Sequence, residues 1–452
     1  MRPPATDGDA TGALADASLS EWQTSFSSNP AYRLAQNAVT RNNVDDIAVN
    51  HHVAFSADHT FSTLLDDWGV TDQKQTGRCW MFAGLNLLRF AARQKLGVKE
   101  FEFSQNYLMF WDKVERANYF FEAIIESADR PLDDRSVAFL LDGPVSDGGQ
   151  WNMFINLVQK HGLVPKSQMP ETNSSSSSRR MNSLLRAKLR EGARRLRMLH
   201  AQGASLDELR ACKTEYLQVL HRILNIHLGT PPQGFAWQWR DKENNFHRLE
   251  AMTPRQFAAE FVDLPLDEYV CLVHDPRNEY GRTYTVEYLG NVVGGQRVTY
   301  LNIDIELIKS IAQRTLEAGE PVWFGCDVGK QMRRDLGLMD AEMYDLEAVY
   351  DTPFDEMDKA ARLEYGETQM THAMLFTGVD VVDGRARRWR VENSWGGETG
   401  QKGFYTMNDS WFDEYLFEIS ARRTYLPEAL VAALDEPPIV LPAWDPMGAL
   451  AR

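Results

Sequence analysis

Apolar positions recur at helical spacing from Cys79 onward. Trp80, Met81, Leu85 and Leu88 share a broad face, and Gly97 sits where a left-handed C-cap is wanted, which predicts a helix over 79–97. A second helix is predicted from Ser104 through Leu108, Met109, Phe110 and Trp111 toward Phe121, and a third over 151–161. The serine run Ser174–Ser178 reads as an exposed low-complexity turn. Beyond it, 181–228 reads as two long helices, the second opened by the capping-box pair Ser205 and Glu208. The texture then changes. Tyr269–His274 is a short apolar run, and Arg282–Leu289 and Arg297–Ile303 alternate on either side of Gly294-Gly295 as a hairpin would. A helix is expected over Ile305–Leu316, and strands over Val322–Asp327, Ala373–Val379, Arg387–Glu392 and Gly403–Met407. A mostly helical first half and a strand-rich second half predict an α+β protein of two lobes with a cleft between them.

Composition narrows the class. The 452 residues are 43% hydrophobic and 25% charged, which is ordinary globular usage. No apolar stretch approaches the ~18 residues of a membrane span, and the first 20 residues, carrying Asp7, Asp9 and Asp16, read as a flexible leader and not a secretory signal. Four cysteines (Cys79, Cys212, Cys271, Cys326) are too few for a disulfide framework, so free thiols in a reducing cytoplasm are expected. The net charge of −16 repels nucleic acid overall. One basic stretch stands against it: Arg186, Arg190, Arg194 and Arg197 fall on one helical face within 179–197 and read first as a solvated surface.

The chemistry concentrates at Gln73-Lys74-Gln75-Thr76-Gly77-Arg78-Cys79-Trp80. A cysteine in the first turn of a helix sits at the positive end of the dipole, which favours thiolate. Gly77 lets the chain turn into the helix, and Gln73 is placed to aim an amide N–H at an oxyanion beside the sulfur. Further along, His372 opens one predicted strand and Asn393 closes another, followed by Ser394, Trp395 and Gly396. A thiol nucleophile needs an imidazole to take and return its proton, and the imidazole needs a partner on its other nitrogen, which a neutral amide can supply. Trp395 can cover that hydrogen bond. Each residue alone has an ordinary structural reading; the ordered set is specific. His51, His52 and His59 do not form a metal-ligand pattern, and no metal or cofactor is called for.

Gln-x5-Cys-Trp, then His-Ala, then Asn-Ser-Trp-Gly is the order found in papain-like cysteine peptidases. Cys79 and His372 are 293 residues apart, against roughly 130–150 in papain-type chains. Arg78 also stands where Ser usually precedes the Cys. Both departures resemble the bleomycin hydrolase and bacterial aminopeptidase C branch, as do Tyr32–Thr40, Phe110–Asn118, Asp147–Trp151, Pro321–Gly329 and the tail Pro442–Ala451. The resemblance implies a papain-like α+β fold of a helical lobe and a β-barrel-like lobe, with a large helical insertion and a C-terminal tail in the cleft. Laid on the chain, this gives a leader over 1–20, the nucleophile lobe over 21–169, the insertion over 170–265, the β-rich lobe with His372 and Asn393 over 266–425, and a strap over 426–452. It implies a cytosolic cysteine aminopeptidase acting on short peptides with a free N-terminus, and on bleomycin-like amides or thiolactones, assembled as a homohexameric ring. Gln73, Cys79, His372 and Asn393 would be catalytic. Gly148, Gly149, Trp395 and Ala451 would line the substrate.

In that branch the terminal carboxylate of the tail meets the substrate's ammonium and blocks longer chains. Pro437, Pro438 and Pro442 independently favour an extended strap, with Trp444 as an anchor. Arg452 lies one residue beyond the Ala at which such tails commonly end, so self-removal of Arg452 is expected. Gly148 and Gly149 are read either as a close-approach edge for a substrate backbone or as a simple turn. Two other classes stay open at this point: a nucleic-acid binder using 179–197, and a catalytically silent assembly protein.

Overall fold

The computed structural model describes residues 12–65, 68–262 and 264–451. The chain divides into two compact units, one of residues 1–56 with 342–357 and one of 57–341 with 358–452. In the first, the helices Asp16–Ser28, Pro30–Val39, Val44–Ala48 and His51–Phe55 join Leu346–Tyr350 through Tyr32 Oη donating to Asp351 Oδ2 at 2.9 Å and a bridge between Val49 and Tyr344. The leader expected over 1–20 therefore gives way to helix at Asp16; residues 1–11 lie outside the described set.

The larger unit carries two apolar cores. One gathers the helices Cys79–Leu96, Gln105–Glu126, Trp151–His161, Arg179–Ala201 and Leu206–Leu228; the other lies in the β-rich part around Phe324, Phe376, Trp389 and Phe412. Cys79–Leu96 is buried on nearly all sides, as a central helix must be, and ends with Gly97 at φ 62° as expected. The Ser205–Glu208 capping box is present, with Ser205 N–H donating to Glu208 at 2.8 Å and Glu208 N–H to Ser205 Oγ at 3.3 Å.

Among the described residues one twelve-stranded mixed sheet organises the second half. Its middle runs Tyr269–Val273, Leu416–Arg422, Val322–Cys326, His372–Val382, Arg385–Glu392, Phe404–Asn408. His372 pairs in antiparallel register with Cys326, and Leu375 with Glu392.

Several expectations change in the structure. Ser174–Ser178 is not an exposed turn: Asn173–Ser176 is helical, Ser175 and Ser178 are buried, and the Gln75 N–H donates to Ser176 O at 3.0 Å. The serines satisfy the backbone beside the Gln73–Cys79 loop, a job composition does not reveal. The stretch 170–265 is not all helical, since Phe235–Arg240 and Phe246–Met252 form a hairpin on which Trp237 and Trp239 stack at 4.6 Å. Their i, i+2 spacing was the available signal. Arg282–Val286 and Tyr300–Asn302 do pair as antiparallel strands, but the connection is longer than a Gly-Gly turn. It packs on the helix Trp151–His161, where Asn156 exchanges hydrogen bonds with the Gln296 backbone at 2.7 and 2.9 Å. The tail is extended only at Ile439–Leu441, parallel to Arg282–Val286; Pro446–Ala451 winds into a 3-10 helix. The basic face is not merely solvated. Arg190 donates to Leu141 O and Asp142 O at 2.8 Å and Arg197 to Ser127 O at 3.0 Å, so these side chains cap the orphan carbonyls of two helix ends.

The strand Leu416–Arg422 had no sequence-based counterpart, because Glu418 and Ser420 interrupt its apolar run although both are fully buried. Burial pushes the Glu418 carboxyl up to about 8, with only the Cys271 thiol drawing it down. The folded protein thus keeps a proton that the unfolded chain releases. Stability is full below the ordinary carboxylate value and is lost as pH rises through about 8. Glu418→Gln should flatten a slope of up to about 1.4 kcal/mol per pH unit. Urea midpoints at pH 5 and pH 8 that fall equally in both proteins would refute this.

Candidate active site

The Cys79 thiol stands at the first residue of its helix, 3% exposed, with Sγ 3.9 Å from Gly77 O. Burial pushes the thiol up to about 11; the backbone N–H groups of Ala373, Trp80 and Cys79 pull it back. Burial thus opposes the thiolate that the helix-start position favours. The Ala373 N–H beside the sulfur belongs to the residue that follows His372, so the strand that His372 opens packs against the start of the Cys79 helix.

His372 Nε2 lies 2.9 Å from Asn393 Oδ1. The Ser394 N–H, which can only donate, reaches the same Oδ1 at 2.7 Å, and this fixes the amide orientation. Oδ1 accepts, so Nε2 carries the proton and Nδ1 keeps the lone pair. Burial lowers the imidazole to about 4, opposed by the Asn393 hydrogen bond and assisted by the positive charge of Arg334. Each group alone resists charge; a proton passed between them creates an ion pair whose two charges stabilise one another. Trp395 packs on the imidazole with ring centres 4.9 Å apart.

Gln73 is 6% exposed and tightly held. Its N–H donates to Ser394 O at 2.9 Å, its Oε1 accepts from Ser394 Oγ at 2.6 Å, and its Nε2 donates to Thr76 O at 2.5 Å. The amide has a second N–H with no partner among the described residues. The two halves of the site are pinned by a buried cluster. Asn86 and Arg89, on the nucleophile helix, donate to Glu392 Oε1 at 2.7 and 2.8 Å, immediately before Asn393. Arg78, in place of the usual Ser, makes a bidentate pair with Glu171 at 3.1 and 2.9 Å and so ties the Gln73–Cys79 loop to the segment that leads into the helix Asn173–Ser176.

Gly148 and Gly149 pack beside the Gln73–Cys79 loop and Trp80, with Gly148 N 3.6 Å from where a Cβ on Gly77 would stand. A Cβ on Gly149 would sit 2.5 Å from the Trp80 ring, so packing alone requires glycine there. Gly148 O accepts from Arg116, which also grips Asp112 at 2.9 and 2.8 Å. Ala451 O accepts from Ser146 Oγ at 2.5 Å and from Arg116 Nη1 at 3.4 Å, so the tail and Gly148 share the Arg116 guanidinium. Arg452 and its expected removal lie outside the described residues. Burial pushes the neighbouring Asp147 carboxyl up, but Lys113, Ser178 and Asn182 bring it well below the usual range. Beside the tail lies a cavity of about 530 Å³ lined by Arg116, Ser146, Arg190, Tyr288 and Ala451 among others. Arg116, Ser146, Asp147 and Arg334 carried no role in the sequence reading. The signal for the first was present: Asp112, Lys113 and Arg116 break an apolar helix, and buried charges must be paired.

The description of the peptidase C1-like family matches residues 13–448. The chain belongs to that family. Human bleomycin hydrolase is 44% identical to this peptidase C1-like chain over 438 residues, 94% of this chain and 96% of the human protein. Aminopeptidase C of Lactobacillus delbrueckii subsp. lactis is 42% identical over 438 residues, 96% of this chain and 97% of that one. The crystal structure of PepW from Lactobacillus rhamnosis superposes with a TM-score of 0.94 at 44% identity, covering 97% of this chain and 99% of PepW. The expected papain-like α+β fold is thereby established for this C1-like peptidase. No helix among the described residues is long and apolar enough to cross a membrane.

Proposed function

We propose that this cysteine-type aminopeptidase works through Cys79, His372, Asn393 and Gln73. The observation that carries the reading is the His372–Asn393 bond of 2.9 Å, which leaves the Nδ1 lone pair to the thiol. His372 Nδ1 takes the Cys79 proton as sulfur attacks the scissile carbonyl. Gln73 Nε2–H and the Cys79 N–H stabilise the oxyanion. His372 then protonates the leaving amine, the C–N bond breaks and an acyl-enzyme remains. Water, deprotonated by the same nitrogen, releases the acid and restores the thiol.

The aminopeptidase specificity rests on the tail. Ala451, held by Ser146 and by the Arg116 that also binds Gly148 O, supports a tail that blocks the path along which the acyl half of a longer peptide would continue. Short peptides with a free N-terminus are the substrates, and amides or thiolactones of amino acids share the chemistry. The relatives named for bleomycin hydrolysis support bleomycin-like amides as well. The test is a panel of fluorogenic aminoacyl amides with free and acetylated amines: cleavage of the free series only is expected, and equal rates overturn the reading. The cytoplasmic setting and the homohexameric ring are carried by the family resemblance; sedimentation of a fully active monomer would overturn the ring.

A further inference from the structure

Arg334 occupies the tip of a tight hairpin between the short strands Met332–Arg333 and Leu338–Met339. Its carbonyl accepts from the Gly337 N–H at 3.2 Å and from the Gly400 N–H at 3.1 Å. The second bond staples the tip to the loop that follows Trp395. A Cβ on Gly337 would lie 2.6 Å from Gly400 Cα, so the two backbones are in contact. The guanidinium lies over the Trp395 ring at 4.1 Å, and that ring packs on His372 at 4.9 Å. Arg333 pairs with Asp335 at 2.6 Å and Lys74 with Asp72 at 2.5 Å, while Arg334 is exposed and has no carboxylate partner among the described residues.

Position gives the cation its meaning. His372 must hand its proton to the leaving nitrogen, so the leaving fragment lies over His372 and Trp395, away from Ala451. In a dipeptide the departing amine is a single amino acid, whose carboxylate sits within one residue length, about 3.5 Å, of the scissile nitrogen. We propose that Arg334 binds a carboxylate of the leaving fragment, either the C-terminus of a very short peptide or an acidic side chain near the cut, and so selects such substrates. The proposal rests on the aminopeptidase reading above. A hydrophobic stack holds the planar guanidinium while leaving its N–H edge free to fork onto a carboxylate. The staple to Gly400 removes the loop entropy that usually weakens exposed ion pairs.

The experiment compares kcat/KM for Ala-Ala, Ala-Ala amide, Ala-Asp amide and Ala-Asn amide in wild type, Arg334→Ala, Arg334→Lys and Arg333→Ala. Wild type should favour the free acid over the amide, or Asp over Asn, by roughly three- to ten-fold, and 0.5 M salt should shrink that ratio. Arg334→Ala should bring it to about one, Arg334→Lys should keep part of it, and Arg333→Ala should retain it in full. Loss of the acid-over-amide ratio alone assigns the site to the peptide C-terminus; loss of the Asp-over-Asn ratio alone assigns it to side chains. Ratios equal in wild type and Arg334→Ala overturn the proposal. If none of the four substrates is cut by wild type, the aminopeptidase reading itself has failed, a distinct result.

Discussion

Cys79→Ala is expected to lower kcat/KM on aminoacyl amides by on the order of 10⁵ or more, with melting within a few degrees of wild type. The side chain is buried but small, its weak contact to Gly77 O contributes little, and the loss falls on covalent chemistry alone. Residual turnover within tenfold of wild type would exclude the covalent mechanism. Neighbouring substitutions should grade by role. Gln73→Ala should cost about 10²–10³ in kcat, as an oxyanion donor does. Asn393→Ala should cost less than His372→Ala, because the amide orients and transfers no proton. His372→Ala carries a further signature. Burial holds the lone thiol up to about 11, so without its base the variant should ionise only in strong alkali. Its remaining rate should climb steadily from pH 7 to pH 10, where wild type does not. A flat profile in the variant would mean that something other than His372 takes the thiol proton.

The candidate site was legible because thiol chemistry of the proposed kind calls for rare residue types in a fixed order. Cys79 stands at a helix start, His372 opens a strand and Asn393 follows directly on the next, and the structure joins His372 to Asn393 at 2.9 Å. The central strands were legible too, since burial on both faces makes continuous apolar runs such as Val322–Cys326. What stayed hidden depends on partners distant in sequence. Leu416–Arg422 hides a strand behind Glu418 because local pattern cannot anticipate a neutral buried acid. Ser175 and Ser178 look like linker until Glu171 and Asp147 are seen to need their hydroxyls. Arg334 looks like any surface arginine until the chain returns Trp395 beneath it. The Arg78 departure was visible as an oddity, and its cause, Glu171, lies 93 residues on.

Deleting residues 449–452 is expected to convert the enzyme from an aminopeptidase into an endopeptidase. The upstream tail has its own anchors and should stay in place. Tyr300 Oη donates to Met447 O at 3.0 Å, Arg277 holds Asp445 at 3.1 Å, and the Arg135 guanidinium lies 3.7 Å from the Trp444 ring centre. The deletion therefore removes the plug without releasing the strap. Two effects should appear together. N-acetylated peptides, which the intact tail is expected to exclude, should be cut within the chain, because the path past Ser146 and Arg116 is then free for further residues. Free aminoacyl substrates should lose about 10- to 150-fold in kcat/KM, the value of one charge-assisted contact between the tail's carboxylate and the substrate ammonium, about 1.5–3 kcal/mol. Ser146→Ala offers a milder version: Arg116 still holds Ala451 O at 3.4 Å, so the chain end should loosen and the preference for free amines should fall only several-fold. Arg116 itself is a poor probe, because its removal would strand Asp112 as a buried charge and unsettle the helix Gln105–Glu126. If the deletion leaves N-acetylated peptides uncut and the free series unaffected, the tail is packing only, and the amine must be read by another group.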